Sequence, residues 1–133
     1  MDSTPIDHTG WLERYRRAWI EKDADAASRL FTEDAVYREQ PFEAPFAGRA
    51  AIRDYWARVT ASQRSVELRY GRAVAEGSRV AVEWWANLET DGGPLTLAGE
   101  FLLVFADGGL CRELREYWVL TQARVEPPHG WGE

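Results

Sequence analysis

The second half of the sequence alternates apolar and polar residues over four long runs, and this pattern limits the fold more than any other feature. The runs cover residues 65–74, 79–89, 95–105 and 110–122. They are separated by glycine-containing segments of the kind found in hairpin turns, at residues 76–78, 90–94 and 107–109. A period of two places alternate side chains on opposite faces of a sheet. The second half is therefore predicted to be a four-stranded antiparallel meander.

The first half begins with two predicted helices. Apolar residues recur every three or four positions over residues 10–22, which is the spacing of one helix face. Either Asp7 or Thr9 can cap the start of this helix. Asp23 is placed to cap a second, shorter helix over residues 24–31.

A short strand and a third helix complete the first half. Residues 33–34 are predicted to form the turn after the second helix, and residues 35–40 a strand that ends at Pro41, which has no N–H to donate to a sheet. Gly48 is a suitable start for a helix over residues 49–60. Helices followed by an antiparallel meander predict an α+β fold, with the helices packed on the concave side of a curved sheet.

Length, charge and cysteine content exclude several function classes. The 133 residues are enough for one domain with its own core, spanning 1–133 with loose ends near 1–8 and 125–133. A net charge of −6 argues against nucleic-acid binding, which needs a basic patch. One cysteine allows no internal disulfide framework. With no basic-then-apolar leader and no long apolar run, the protein is expected to be cytoplasmic and without a membrane span.

Residues 30–56 contain the first candidate site residue. Glu39 lies on the predicted short strand beside Tyr37, in a sequence with 7 tryptophans and 5 tyrosines. An acid on a short strand, flanked by aromatic residues, is a way to build one reactive carboxylate into an apolar cup. Glu39 could instead be a surface acid, or form an ion pair at the rim of a pocket with Arg38.

Strand alternation adds a second acid to the predicted cup. If Trp118 faces inward, Glu116 does too, and two carboxyls in an apolar cavity raise the pKa of one of them. Glu116 could instead form a salt bridge on the sheet with a neighbouring arginine. On the opposite face, three outward residues form an apolar patch that predicts a homodimer: Trp85, Tyr117 and Val119.

The order of elements, together with three short motifs, resembles the nuclear transport factor 2-like superfamily. The motifs are LFTEDAVY at 30–37, GRAAI at 48–52 and EYW at 116–118. Within the superfamily the chain resembles the SnoaL-like and ketosteroid isomerase-like branch over about residues 9–122. The resemblance implies a cone-shaped α+β fold with three N-terminal helices on the concave face of a mostly antiparallel sheet. It also implies a deep pocket and a dimer through the outer sheet face.

The resemblance to ketosteroid isomerase also implies roles for individual residues. Tyr15 falls at the position of the tyrosine that stabilises the oxyanion, and Glu39 at the position of the aspartate that shuttles a proton. Trp56 and Trp118 match aromatic residues of the pocket. Phe101 stands where that enzyme has its second oxyanion donor, a protonated aspartate, so steroid isomerisation itself is not predicted.

Two function classes follow. The first is a cofactor-independent enzyme, of isomerase, cyclase or dehydratase type, that acts on a hydrophobic small molecule with Glu39 as base, Tyr15 as oxyanion donor and Glu116 as candidate acid. Its pocket is predicted to be lined by aromatic side chains, namely Trp19, Tyr37, Trp56, Trp84, Phe101 and Trp118. The second is a non-catalytic binding or dimeric interaction domain of the same fold.

Other chemistries have less support in the sequence. Epoxide opening by an activated water would need a further polar residue in the cup, and the nearest candidate, Asn87, is predicted to face outward. His8 and His129 lie near the two ends without a third ligand, so no metal is expected. No glycine-rich loop opens a helix to hold a phosphate, and no cofactor is predicted. Cys111 has no strongly basic surroundings and is predicted to be inert.

Overall fold

The structure, a computed structural model, describes residues 7–133, which form three helices and one sheet. In chain order the elements are α1 (His8–Ile20), α2 (Ala24–Ser28), β1 (Phe31–Arg38), β2 (Phe46–Ala47), α3 (Arg49–Thr60), β3 (Gln63–Tyr70), β4 (Val74–Glu76), β5 (Arg79–Thr90), β6 (Gly93–Phe105) and β7 (Cys111–Thr121). The α+β class is confirmed. Most of the predicted loose lead-in, residues 1–6, lies outside the described residues.

The sheet has the strand order β2-β1-β7-β6-β5-β3, and β4 pairs separately with β5. All pairs are antiparallel except β1 with β7, which run parallel. The predicted meander is confirmed in β5, β6 and β7. The first predicted strand of the meander, residues 65–74, forms two separate strands, because β3 ends at Tyr70 and the short β4 begins at Val74. Neither β2 nor the parallel pair was predicted.

Helix α1 begins two residues before the predicted boundary. Of the two candidate caps, Asp7 caps the helix, since its carboxylate accepts from the N–H of Gly10 at 3.0 Å. The helix ends at Ile20, and Lys22 has a left-handed backbone with φ 55°. Its inward face consists of Trp11, Leu12, Tyr15, Ala18 and Trp19. Three aromatic rings of α1 therefore enter the core.

The region around β1 differs from the prediction in two ways. Helix α2 stops at Ser28, because Phe31 already pairs with Cys111 in the parallel ladder. Residues 33–34 lie within β1, where the register shifts, so the predicted turn is wrong. The strand ends at Arg38 and not at residue 40. Glu39 therefore lies in the bend after the strand.

The third helix was predicted correctly. Helix α3 spans Arg49–Thr60, directly after Gly48, whose φ of 93° favours glycine at this position. Its inward face carries Ile52, Tyr55 and Trp56. These side chains meet the rings of α1 above the sheet, so most of the aromatic residues collect in one cluster.

The C-terminal tail, residues 123–132, lies against the outer face of the sheet. The Trp85 indole N–H donates to the Val125 carbonyl at 2.9 Å, and the ring of Trp131 meets Trp85 edge-on at 5.7 Å. The N–H of Arg72 donates to the Gly132 carbonyl at 2.8 Å. Trp85 was predicted to belong to an exposed outer patch, but the tail partly covers it. The exposed part of that patch is Tyr117 and Val119.

Asn87 lies beneath the same tail. Its side chain faces the outer side of the sheet, where the Asn87 Oδ1 is 2.9 Å from the Thr96 hydroxyl, and that hydroxyl also contacts the Ala123 carbonyl at 2.6 Å. Asn87 is therefore not in the cup, as strand alternation predicted. No helix within residues 7–133 is long and apolar enough to cross a membrane.

Candidate functional site

Glu116 is the most unusual titratable group in the described part of the chain. It lies on β7 opposite Phe101 of β6, and its side chain points into the core, where the residue is 8% exposed. The pKa of this carboxyl is raised to about 8, mainly by burial; the hydrogen bond from Tyr37 lowers it, and the charge of Glu39 raises it. At neutral pH Glu116 is therefore mostly a protonated acid.

Two tyrosines connect Glu116 to the first helix. The Tyr37 hydroxyl donates to Glu116 Oε1 at 2.5 Å, and the Tyr15 hydroxyl lies 3.1 Å from that of Tyr37. Since Tyr37 gives its proton to the carboxyl, Tyr15 is the donor in the second bond. We call these three residues the Tyr–Tyr–Glu triad. It joins α1, β1 and β7 through groups that are all buried.

The triad tyrosines stay neutral. Burial raises the pKa of Tyr15 and of Tyr37 well above the ordinary value, and the nearby Glu116 raises both further. The same two causes raise the pKa of Tyr55, whose ring lies 5.1 Å from that of Tyr37. Neutral phenols inside a protein act as hydrogen-bond donors, and the triad can pass a proton only by reversing the direction of its hydrogen bonds.

Glu39 lies outside the triad. It is half-buried, and burial together with the neighbouring Glu43 raises its pKa, while Arg58 lowers it. The indole N–H of Trp118 donates to the Glu39 backbone carbonyl at 3.2 Å and so fixes the bend in which Glu39 lies. The charge of Glu39 raises the pKa of Glu116, with Glu116 in the interior and Glu39 nearer to solvent.

The predicted aromatic wall is present and densely packed. We define the aromatic cup as Tyr15 together with five other buried aromatic residues of the same cluster, namely Trp19, Tyr37, Trp56, Trp84 and Phe101. Tyr15 meets Trp56 and Phe101 edge-on, both at 5.4 Å between ring centroids, and Phe101 stacks on Trp84 at 5.3 Å. Trp118 is half-buried beside this cluster. The rings fill most of the space between α1, α3 and the sheet.

Two of the indole N–H groups in the cup have no hydrogen-bond partner within residues 7–133. These are the N–H groups of Trp56 and Trp84, both fully shielded from solvent. By contrast, Trp19 donates to Gln63 Oε1 at 2.8 Å, and Trp11 donates to the Leu30 carbonyl at 2.9 Å. The cup therefore contains unused donors in addition to the triad.

An open recess lies elsewhere on the molecule. It has a volume of about 450 Å³ and lies between α1, α2 and the turn that joins β6 to β7. Its lining combines apolar residues with three arginines, Arg14, Arg17 and Arg29, and two acids, Glu21 and Asp23. None of the nine candidate residues lines it. We assign the candidate site to the triad and the cup, because a buried acid with a strongly raised pKa is a better sign of chemistry than an opening.

Within residues 7–133, the structure has neither a reactive cysteine nor a cluster of metal ligands. The Cys111 thiol is buried, donates to the Glu113 carbonyl at 3.1 Å and has its pKa raised to about 12 by burial, so it stays protonated. Within residues 7–133, no three His, Cys, Asp or Glu side chains are close enough together to hold a metal ion.

The structure brings three of the predicted site residues into direct contact and leaves the fourth, Glu39, apart from them. Tyr15 and Glu116 were predicted as reacting groups, and the structure places them in one triad. Tyr37 was predicted only as a pocket wall, although it connects the two. The signal available was strand alternation, which turns Tyr37 inward. Glu39 was predicted on the strand itself, and it lies one residue beyond it.

The fold and the cup define an α+β protein of the nuclear transport factor 2-like superfamily. The model of the SnoaL-like domain family matches residues 12–113, and the chain belongs to this family. No curated protein matches the sequence.

Solved structures share the fold. One is a protein with a ketosteroid isomerase-like fold from Catenulispora acidiphila, in complex with trimethylamine, with TM-score 0.73, 23% identity and 86% of each chain covered. Another is SalBIII, an epoxide hydrolase/cyclase-like enzyme with a role in pyran ring formation in the polyether salinomycin, with TM-score 0.73, 25% identity, and 88% of this chain and 98% of that chain covered.

A third similar structure is a candidate scytalone dehydratase from Novosphingobium aromaticivorans. The TM-score is 0.75 and the identity 16%, with 95% of this chain and 93% of that chain covered. The fold is thus of a type that binds small molecules, and it occurs in cyclase-like, epoxide hydrolase-like and dehydratase-like proteins.

Proposed function

We propose that the protein is a cofactor-independent enzyme that performs general acid–base chemistry on a hydrophobic small molecule. The observation that supports this most is Glu116, a buried acid with a pKa raised to about 8 and a hydrogen bond to Tyr37. A group that is protonated near neutral pH can give up a proton and take it back at little cost, which is what acid–base catalysis requires.

The positions of the three reacting groups suggest a division of roles. Glu39, nearer to solvent, takes a proton from a substrate carbon next to a carbonyl, or from a hydroxyl. Both hydrogen bonds of the triad reverse in this step, so that Tyr15, which otherwise donates to Tyr37, donates to the oxygen on which negative charge develops. Glu116 delivers its proton through Tyr37 and Tyr15 to that oxygen and so completes an enolisation, a ring closure or a loss of water.

The similar proteins support the reaction type and the substrate class. SalBIII takes part in pyran ring formation in a polyether, and the Novosphingobium protein is a candidate dehydratase. Ring closure and loss of water both move protons between carbon and oxygen without a cofactor. We therefore propose a cyclic or polyketide-like substrate, in line with the aromatic lining of the cup.

Substitution of the two acids tests the proposal once a ligand is found by thermal stabilisation with steroids, phenols and anthraquinone mimics. Deuterium exchange from water into the bound ligand then measures proton transfer directly. Glu116→Gln and Glu39→Gln should each slow this exchange by about 10²–10⁴. Glu113→Gln is the matched control, because Glu113 lies on the same strand in ion pairs with Arg38 at 3.2 Å and Arg115 at 2.8 Å. Unchanged exchange in both acid variants would contradict the proposal.

A non-catalytic binding or interaction domain is the second candidate, and the packing of the cup favours it. Tyr15, Trp84 and Phe101 are at most 1% exposed, and their rings are in contact with one another or with their neighbours. A cup filled by its own side chains leaves a ligand little room. The two candidates differ in the exchange experiment, since a binding domain would hold the ligand without moving its protons.

We further propose the assembly that the fold suggests. The three helices close the concave side of the sheet to form a cone, and two copies pair through the outer sheet face. Support comes from Tyr117 and Val119, which leave an apolar surface next to the C-terminal tail at 48% and 71% exposure. A second copy of the chain would cover this surface in a symmetric dimer.

A further inference from the structure

The open recess between α1, α2 and the β6–β7 turn carries charged groups that the proposed function does not use. Its volume of about 450 Å³ lies within the range of small-molecule sites, about 300–1,000 Å³. Three arginines line it, Arg14, Arg17 and Arg29, against two acids, Glu21 and Asp23. The whole chain has the opposite balance, with a net charge of −6. The recess is therefore a local excess of positive charge on an acidic protein.

The three arginines reach the recess from two different elements. Arg14 and Arg17 are three residues apart on α1, so their side chains are neighbours on the surface of that helix. Arg29 follows directly after α2, at its C-terminal end. All three residues are exposed, so a molecule arriving from solvent can reach them. Guanidinium groups from separate elements can contact one bound molecule from different directions.

These arginines form no salt bridge and no side-chain hydrogen bond with any of residues 7–133. Six other arginines of this part of the chain do form salt bridges: Arg16, Arg38, Arg53, Arg64, Arg115 and Arg124. The acids that line the recess do not supply the missing partners. The carboxylate of Asp23 instead accepts from the N–H of Ala26 at 3.0 Å, where it caps α2. Each guanidinium group thus has its N–H donors available for a ligand.

Apolar side chains complete the lining of the recess. They belong to Trp11, Ala18, Ala26, Leu30 and Leu110. The Trp11 indole N–H donates to the Leu30 carbonyl at 2.9 Å, and this bond holds two parts of the apolar wall together. An inorganic anion would contact the arginines and leave this wall in contact with water. A molecule with an apolar body and an anionic group would use both parts of the lining.

We propose that the recess binds an apolar molecule that carries one oxyanion, either a carboxylate or a phosphate ester. The planar guanidinium group matches both oxyanions, because its two parallel N–H groups can donate to two oxygens at once. The apolar body of the ligand lies against the side chains of Trp11 and Leu110. None of the six residues of the aromatic cup lines the recess. This is therefore a second small-molecule site, and it does not depend on chemistry in the cup.

Four naphthalene probes of similar size test the proposal by calorimetry. Naphthoate and naphthyl phosphate are anions, naphthalenemethanol is neutral and naphthylmethylamine is a cation. At low salt at least one anion should bind more tightly than the neutral alcohol by about three- to thirtyfold, the sum of two or three exposed ion pairs, and the cation should bind more weakly than the alcohol. The preference should fall in about 0.5 M salt, which screens exposed charges.

The probes also distinguish the two kinds of oxyanion. Tighter binding of naphthoate would identify a carboxylate as the preferred group, and tighter binding of naphthyl phosphate would identify a phosphate ester. Equal binding of the anions and the alcohol would overturn the proposal, and so would the absence of binding by both anions up to their solubility.

Variants of the recess arginines show whether the recess is responsible. Arg14→Gln and Arg29→Gln should each weaken binding of the preferred anion by about two- to fivefold and leave binding of the alcohol unchanged. Arg72→Gln is the matched control, because Arg72 is also exposed and forms no salt bridge with the described residues, but does not line the recess. It should bind the anion as the unmodified protein does. Equal losses in all three variants would mean that the anion responds to net charge alone, and the proposal would be wrong.

Nitrogen–proton NMR of the unmodified protein locates the bound anion without any variant. The indole signal of Trp11 and the backbone signals of Gly109 and Leu110 should shift on binding, since these residues line the recess. The indole signal of Trp85, on the outer face of the sheet, should stay in place. Shifts confined to the indole signals of the cup would place the anion there and contradict the proposal. Loss of proton transfer in Glu116→Gln bears on none of these results.

Discussion

Among single residues, the buried carboxyl of Glu116 links the stability of the protein to pH. Its pKa is about 8 in the folded protein and about 4.5 in an exposed carboxyl, so the folded state binds this proton more tightly than the unfolded state. The stabilisation is fully present below about pH 4.5 and is lost as the pH rises through about 8. The change in the free energy of unfolding is about 3–6 kcal/mol.

The first prediction is that Glu116→Gln removes most of this dependence. Urea unfolding between about pH 5 and about pH 9 should show a falling stability in the unmodified protein and a nearly flat one in the variant. Glu113→Gln should keep the slope, because ion pairs with Arg115 and Arg38 lower the pKa of Glu113, and its contribution is lost only in acid. A flat profile in the unmodified protein would contradict a raised pKa.

The second prediction concerns the hydrogen bond within the triad. Tyr37→Phe removes the donor that stabilises the charged form of Glu116, so the pKa of Glu116 should rise further. The loss of stability should be about 1–3 kcal/mol at about pH 9 and smaller at about pH 6. Tyr70→Phe is the control, since the Tyr70 hydroxyl donates to the Leu12 carbonyl at 2.9 Å and its removal should cost the same at both pH values. Equal losses for Tyr37→Phe would disprove the coupling.

In the candidate site, residue patterns predicted side-chain orientations but not the contacts between distant residues. Strand alternation predicted correctly that Glu116, Phe101 and Trp84 point inward. Side chains alternate along a strand, so the orientation of one residue gives the orientation of the others. It could not reveal the triad, since the contact of Tyr37 with Glu116 joins residues 79 apart through a parallel strand pair that no local pattern marks. The unpaired indole donors depend on ring orientation, which a sequence does not contain.

Among the structural elements, strands β6 and β7 carry Phe101 and Glu116, and they approach each other closely at Gly99. Gly99 lies opposite Trp118, and a Cβ built there would stand 2.7 Å from the Cβ of Trp118 and even closer to the Tyr117 carbonyl oxygen. A side chain at this position therefore pushes β7 away from β6.

The third prediction is that Gly99→Ala costs about 1–3 kcal/mol of stability in urea unfolding, because the two strands cannot move apart without losing hydrogen bonds. Gly92→Ala is the matched control in the preceding turn, where the nearest atom is 3.8 Å from the added Cβ. Its effect should stay within about 0.5 kcal/mol. Equal stability of both variants would show that the strands can adapt.

Element boundaries were predictable where a local signal marks them and not elsewhere. Helix α3 follows Gly48 as predicted, since a glycine with positive φ ends the preceding segment. Helix α2 was predicted too long, because Phe31 fits a helical apolar face but is drawn into β1 by its pairing with Cys111. Pairing with a distant strand overrides a local preference.

For the whole molecule, the oligomeric state depends on whether a second copy covers the outer face of the sheet. The tail of this chain partly covers Trp85, and Tyr117 and Val119 remain exposed next to it. The fourth prediction is that the protein is a dimer at micromolar concentration and that Val119→Asp makes it monomeric, because a buried charge without a partner disfavours the contact. Sedimentation velocity measures both.

Val74→Asp is the matched control for the dimer. Val74 is also 71% exposed, but it lies on β4, which pairs with β5 and not with β7, the strand that carries Tyr117 and Val119. This variant should remain dimeric. A monomeric unmodified protein, or the same effect from both variants, would contradict a dimer through the outer face.

The central claim is that a protonated carboxyl stands at the end of a hydrogen-bonded triad inside an aromatic cup. Carbon NMR of labelled glutamate side chains, with the Glu116 signal assigned by its absence from Glu116→Gln, measures the titration of this group directly. We expect a midpoint near the pKa of about 8, shifted upward in Tyr37→Phe. A midpoint below about 5, like that of an exposed glutamate, would mean that Glu116 is charged at neutral pH and that the proposed acid does not exist.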